Sequence, residues 1–253
     1  MAMRRASAPP QGRFGPVHGQ DRPLRAVSAD HGRMNPWTLE IITVRNGSHS
    51  GAARSALSRD VARGLLIRLR VGAYVERTAF LAMTPEQQHV VRRRAFAAVA
   101  DRPPRFSHWS AGVARGVLVL RERLAALHTT VTSRSGRGQV GVCAHLLALT
   151  DEQVERIGDL LVMTSARTVV DIADAGRFEE GVMAVDHLLH AGAARELLET
   201  ALESAGPRRS GRRIADAIAF GHPGAESAAE SCSRVGMFRI GVEPPRLRHR
   251  PVL

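Results

Sequence analysis

The sequence predicts a helix-rich α+β protein, and three stretches lead to that prediction. In residues 53–75, an apolar spacing of four residues gives way to a spacing of two, which indicates a helix followed by a strand hairpin. Residues 84–99 begin with a helix-capping pattern and continue with an apolar helical stripe. Residues 101–205 contain short strand-like strings followed by longer helical ones, so we expect helices and strands to share one fold.

The N-terminal 35 residues differ from the rest of the chain in composition. Residues 1–35 are rich in Pro, Gly, Ser and Arg and show no apolar periodicity. This composition predicts a disordered segment. An over-extended start, with Met34 as the true first residue, is the alternative. The first ordered element is expected between Trp37 and Val44.

The next segment predicts a helix that runs directly into a basic hairpin. Ala53, Leu57 and Val61 recur every four positions and form one apolar helical face. Gly64 follows where a helix C-terminus favours a positive φ. Apolar residues then alternate with arginines over residues 65–72, as in a strand. A helix followed at once by such a hairpin is the second half of a winged helix-turn-helix, which places this helix in the DNA major groove and its wing along the backbone.

The residues that project away from the apolar face of this segment are the candidate DNA contacts. Arginine can read guanine through two hydrogen bonds, and serine can contact phosphates or base edges. Arginines that alternate along one strand suit the phosphate backbone. A merely solvated basic face is the alternative interpretation. The candidates are Arg54, Ser55, Ser58, Arg59, Arg63, Arg68 and Arg70.

A well-marked helix begins after the hairpin. Thr84 is a good N-cap, Pro85 suits the first helical position and Gln87 completes a capping box. Three arginines at 92–94 run through this helix. We interpret them as a solvated face, with a phosphate-contacting patch as the alternative. Residues 36–100 are therefore assigned to one DNA-binding domain.

Two further regions follow a linker-like Asp101–Pro104. Residues 127–132 and 139–146 predict the strands of a loose hairpin, and residues 159–163 predict a third strand. Ser165 then caps a helix. These elements make residues 101–205 an α+β module, and residues 206–253 begin with a basic linker and form a short helical region. The further helices are expected near 177–190, 193–204 and 225–238.

Composition limits the possible functions. Lys plus Arg total 36, all of them Arg, against 24 acidic residues, a net charge of +12 that favours nucleic-acid partners. Genome composition can explain the choice of Arg over Lys but not the excess of positive charge.

Cys143 and Cys232 lack CxxC spacing and predict two reduced thiols. With no apolar run of the roughly 18 residues a membrane span needs and no signal-peptide core, the chain is expected to be cytoplasmic.

Seven strings of the chain match one known family: RGLLIRLRVGAYV, TPEQQHVVRRRA, FSHWSAGVARG, LHTTVT, GVCAHLL, LVMTSARTVVDIA and AESAAES. Together they resemble a family of actinobacterial proteins related to the abortive-infection type IV antitoxins. The resemblance extends from about residue 38 to residue 240, and its most specific parts are the hairpin and the SARTVVDIA string. It implies an N-terminal winged helix that binds DNA, transcriptional repression, a linked toxin in some operons and a structural or dimerising middle module.

The resemblance also implies a C-terminal domain similar to very-short-patch-repair endonucleases of the PD-(D/E)XK type. Glu226 and Glu230 match the helix that opens that domain. Cleavage by such a domain needs several carboxylates that converge on Mg²⁺, whereas only Glu243 follows Glu230 here. We therefore expect a truncated remnant and no catalysis. Residues 46–51 depart from the family in another way, because they have the composition of a turn where relatives carry a short helix.

The remaining polar clusters favour structural roles. His187 and His190, beside Asp186, have the spacing of a ligand pair on a helix but no evident third ligand. An Arg167–Asp171 pair at i, i+4 is a plainer interpretation than a catalytic cluster with Asp174. His108, His128 and His145 are expected to pack or to form hydrogen bonds. No metal and no cofactor are expected.

The leading hypothesis is a DNA-binding transcriptional regulator of the type IV antitoxin type that represses by occupying its operator. One alternative is an inactive, truncated relative of a DNA endonuclease, and another is a protein-interaction antitoxin without specific DNA binding. Double-stranded DNA is the expected partner. A linked toxin and a second copy of the chain are further candidates.

Overall fold

The computed structural model describes residues 35–44, 51–133 and 138–243, and its fold is α+β as predicted. The predictions for residues 1–34 and 46–50 lie outside the described residues. The elements, in chain order, are β1 (Ile42–Thr43), α1 (Gly51–Ala62), β2 (Leu66–Arg70), β3 (Ala73–Glu76), α2 (Arg77–Leu81), α3 (Pro85–Val99), β4 (Arg105–Phe106), α4 (His108–Ala114), β5 (Leu127–Val131), β6 (Val142–Leu146), β7 (Val154–Ile157), β8 (Leu160–Met163), α5 (Ser165–Ala175), α6 (Phe178–His190), α7 (Arg195–Ser204), α8 (Gly211–Phe220) and α9 (Ala228–Arg239), with short 3₁₀ helices at Arg121–Ala125 and Asp151–Gln153.

The N-terminal sheet contains the predicted hairpin. Its three strands are antiparallel and lie in the order β1-β3-β2. The transition from α1 to β2 is a Schellman motif, in which the Gly64 N–H donates to the Val61 carbonyl at 3.0 Å and the Leu65 N–H donates to the Asp60 carbonyl at 2.9 Å. Gly64 has φ of 75°. The prediction that the helix ends at this glycine is therefore confirmed.

Helix α1 carries the predicted apolar stripe, but the stripe packs shallowly. Ala53 and Leu57 are half-buried, Val61 is 36% exposed, and no residue of α1 is buried. The buried cluster of this region instead comes from β3, α2 and α3 and the residues between the two helices. Its members are Val75, Phe80, Met83 and Val91. One flank of α1 is therefore open to solvent.

A five-stranded mixed sheet forms the centre of the protein, in the order β6-β5-β4-β8-β7. Strands β5 and β6 are parallel, so the predicted loose hairpin of residues 127–132 and 139–146 is wrong. Parallel pairing requires the connection to return along the whole strand before β6 begins. The strand at residues 160–163 is confirmed, and it pairs with β7, which the sequence analysis did not predict.

Helices α4 to α8 build the largest apolar cluster. It includes Val169 and Val170 of α5, Leu188 and Leu189 of α6, and Leu198 of α7. Helix α8 contributes two fully buried isoleucines to the same cluster, and α9 packs on α6. The helices after residue 206 are therefore continuous with the core of the preceding module.

Helix α3 belongs to both halves of the structure. Its N-terminal capping box at Thr84 is confirmed. Neither interpretation of the arginine triplet fits Arg93, which is fully buried and donates to the Ser110 carbonyl at 2.6 Å. Arg94 donates to the carbonyls of Pro36 and Leu39 at 2.8 and 2.9 Å. Successive helical residues are about 100° apart, so three in a row cannot all face solvent on a helix that is packed on two sides.

A search of the described segments finds no helix whose length and apolar character would let it cross a membrane.

Candidate functional site

The candidate residues on α1 lie together on its open side. Arg54, Ser58 and Arg59 are exposed, and Arg63 is exposed in the turn that follows the helix. Within the described segments no carboxylate pairs with Arg54, Arg59 or Arg63. Ser55 is also exposed, but its hydroxyl donates back to the Gly51 carbonyl at 2.9 Å. Three guanidinium groups and one hydroxyl are thus exposed along α1 and the turn after it, spread over about half of the helix circumference.

The two candidate arginines of the hairpin, Arg68 and Arg70, lie in different environments. Arg68 is exposed on β2, whereas the guanidinium of Arg70 lies 4.3 Å from the centroid of the Phe96 ring. Arg70 also donates to Oε1 of Gln139 at 3.0 Å, and burial lowers its pKa. A bulge between Arg68 and Arg70 breaks the regular alternation that placed them on one face. Arg70 therefore connects the hairpin to the central sheet and does not join the α1 surface.

The segment that contains these residues carries a net positive charge, whereas the module that follows it does not. Residues 36–100 contain ten arginines and four acidic residues, a net of +6. Residues 101–205 contain eleven arginines and fourteen acidic residues, a net of −3. A bias of genome composition would raise arginine throughout the chain without this change of sign. Residues 206–253 contain nine arginines and four acidic residues, a net of +5, so the excess positive charge lies on both sides of the middle module. The charge of residues 36–100 is that of a surface able to attract phosphates.

The two glutamates assigned to a nuclease remnant lie at the start of α9. The carboxylate of Glu230 accepts a hydrogen bond from the Glu226 N–H at 2.7 Å, and the Ser227 hydroxyl accepts one from the Glu230 N–H at 3.2 Å. The Ser227 hydroxyl thus caps the helix, and the Glu230 side chain binds the backbone just before the cap. The carboxylate of Glu230 therefore has a backbone partner, and Glu226 is exposed.

The other polar clusters are bonded internally. The predicted Arg167–Asp171 pair is confirmed, with Nε and Oδ1 2.9 Å apart. His187 lies 3.2 Å from the Arg115 carbonyl, and His190 lies 2.9 Å from the Pro223 carbonyl. The two imidazoles of the supposed ligand pair are thus engaged with carbonyls from different parts of the chain.

The structure also brings together residues that the sequence analysis treated one by one. The side chains of His128, Cys143 and His145 lie close together on one face of β5 and β6. The rings of His108 and Trp109 pack against this face. Burial lowers the pKa of His128 to about 4, and it lowers the pKa of His145 as well. The only sequence signal was Cys143-x-His145, two potential ligands on one face of a strand. The third partner becomes evident only from the strand pairing.

Comparison with models of known protein families gives no match, and a search of the curated proteins gives none either.

Proposed function

We propose that this protein is a cytoplasmic DNA-binding transcriptional regulator of the type IV antitoxin type, which represses by occupying its operator. In this proposal α1 enters the major groove and the β2–β3 hairpin follows the adjacent backbone, as in a winged helix-turn-helix. The observation that carries the proposal is the exposed set of arginines on α1 and its C-terminal turn, which lacks acidic partners among the described residues.

The candidate residues take different roles in this proposal. Arg54, Ser58 and Arg59 face the groove, where arginine reads guanine and serine contacts a base edge or phosphate. Arg63 and Arg68 contact phosphates and set the position of the protein on the duplex. Arg70 supports the hairpin from behind through its contacts with Phe96 and Gln139.

Salt dependence is the first test of a phosphate-binding surface. Each neutralised phosphate contributes about 0.9 to the slope of log K against log salt. The four arginines 54, 59, 63 and 68 therefore predict a slope of about −3 to −4. The measurement is fluorescence anisotropy with a labelled duplex from upstream of the gene, over a series of salt concentrations.

Paired substitutions then locate the surface. In Arg54→Ala/Arg59→Ala, affinity should fall by about tenfold or more and the slope should decrease by up to about 2, because two cationic contacts are removed. Ser58→Ala/Arg59→Ala should reduce the preference for the upstream duplex over an unrelated one. The matched control is Arg209→Ala/Arg212→Ala, which removes the same charge from two exposed arginines outside this surface. If the control weakens binding as much as the α1 variant, the assignment of α1 fails.

A further inference from the structure

Two neighbouring strands place three transition-metal ligands on one face of the central sheet. His128 in β5 lies directly opposite Cys143 in the parallel strand β6, and His145 follows two residues along β6. Alternate residues of a strand project to the same face, and directly paired residues share a face. All three side chains therefore project from the same side of the sheet.

The ligand atoms are close enough to share one ion. They all lie within 4.8 Å of one another, and His128 Nδ1 is 2.9 Å from His145 Nε2. A tetrahedral ion with bonds of about 2.1 Å to nitrogen and about 2.3 Å to sulfur holds its ligands about 3.3–3.8 Å apart. The separation between His128 and His145, which is a hydrogen bond between the two rings, is shorter than that range, and the other two separations do not exceed 4.8 Å. Small side-chain rotations would thus complete the coordination without movement of the backbone.

The surroundings hold these rings in place. The His145 ring stacks on the ring of His108 with centroids 3.5 Å apart, and the Trp109 ring packs edge-on against His128 at 4.8 Å. His108 has φ of 50°, a conformation that residues other than glycine rarely adopt. Thr130, the strand partner of His145, carries a buried hydroxyl without a hydrogen-bond partner. Backbone strain and an unpaired buried polar atom together are features of binding sites.

We propose that His128, Cys143 and His145 bind one divalent cation of the zinc type. Two imidazoles and a thiolate suit Zn²⁺ or Co²⁺, whereas Mg²⁺ and Ca²⁺ take oxygen ligands. Cys143 is exposed, which leaves the fourth coordination position open to water or an external ligand. The bound ion ties the exposed edge strand β6 to β5. This site is separate from the α1 surface and does not depend on the proposed function.

Cobalt titration of the full chain tests this site directly. The metal-free protein, prepared with a chelator, should bind one equivalent of Co²⁺ and develop the visible d–d bands of a tetrahedral site and a thiolate-to-cobalt charge-transfer band. Zn²⁺ should displace the cobalt and remove both signals. Failure to bind Co²⁺ or Zn²⁺ in equimolar amounts would overturn the proposal.

The two cysteines provide a matched pair of variants. Cys143→Ser should lose the charge-transfer band and weaken Zn²⁺ binding by more than about 100-fold, since loss of even an outer partner of a metal ligand costs about 10- to 100-fold. Cys232→Ser changes the other exposed cysteine and should bind as the wild type does. His145→Gln should weaken binding while the charge-transfer band persists at saturating cobalt. Retention of the band in Cys143→Ser, or its loss in Cys232→Ser, would show that the cobalt is bound elsewhere.

Discussion

At the scale of single residues, the hydrogen bonds of His89 fit a neutral imidazole. Its Nδ1 donates to the Leu124 carbonyl at 3.2 Å, and in the neutral ring Nε2 accepts from the Ser110 hydroxyl at 2.9 Å. That hydroxyl accepts in turn from the His128 N–H at 2.8 Å. Burial, with a contribution from the positive charge of Arg93, lowers the pKa of His89 to about 3. The residue therefore stabilises the fold only while it is uncharged.

This depressed pKa predicts a loss of stability in acid. The contribution of His89 is fully present above the ordinary pKa of 6.5 and is lost as the pH falls toward about 3. Between pH 7 and pH 5, the loss of this contribution lowers the free energy of unfolding by up to about 2 kcal/mol. Urea unfolding at both pH values should show a larger decrease for the wild type than for His89→Gln. Equal decreases in the two proteins would contradict the assignment.

At the scale of elements, local signals predicted the helices better than the strand pairing. The start of α3 could be predicted because Thr84 and Gln87 cap it through contacts three residues apart, at 2.9 and 3.3 Å. The parallel pairing of β5 with β6 could not be predicted in this way, because strand direction depends on the path of the connection between the two strands. The cluster of His128, Cys143 and His145 follows from that pairing, and for this reason the sequence alone does not bring its members together.

The hairpin glycine provides a prediction at this scale. Gly72 has φ of 81°, and a Cβ there would lie 2.7 Å from the Val44 carbonyl oxygen. Gly64 has a similar φ of 75° but open space around it. Gly64→Ala should therefore reduce the free energy of unfolding by only the conformational cost of about 1–2 kcal/mol. Gly72→Ala should cost more, because β1 must also move away. Chemical unfolding measures both variants, and equal losses would show that the contact with Val44 is unimportant.

At the scale of the whole molecule, α3 joins the DNA-binding candidate to the central sheet. Val91 lies in the N-terminal cluster, whereas Phe96 lies in the cluster beneath the sheet. Trp37 from the start of the described chain also packs against that second cluster. The composition change near Asp101–Pro104 suggested a domain boundary because a linker signal is local. Shared packing across such a boundary has no comparable signature in the sequence.

This shared helix predicts that residues 35–100 do not fold alone. The fragment would expose Phe96 and would leave the fully buried His89 and Arg93 without their partners at Leu124 and Ser110. We expect no cooperative thermal transition by circular dichroism and no specific DNA affinity. The full chain serves as the control. A fragment that melts cooperatively and binds DNA as tightly as the full chain would refute this expectation.

The contact between Arg70 and Gln139 has a consequence for control of the hairpin. Gln139 lies three residues before β6, and Arg70 donates both to its side chain at 3.0 Å and to the Val140 carbonyl at 3.5 Å, so a displacement of that edge strand reaches β2 through these two contacts. The position of the β2–β3 hairpin is therefore coupled to the edge of the central sheet. Replacing Gln139 by leucine would remove the 3.0 Å bond, leave the contact with the Val140 carbonyl, and leave the exposed arginines of α1 untouched.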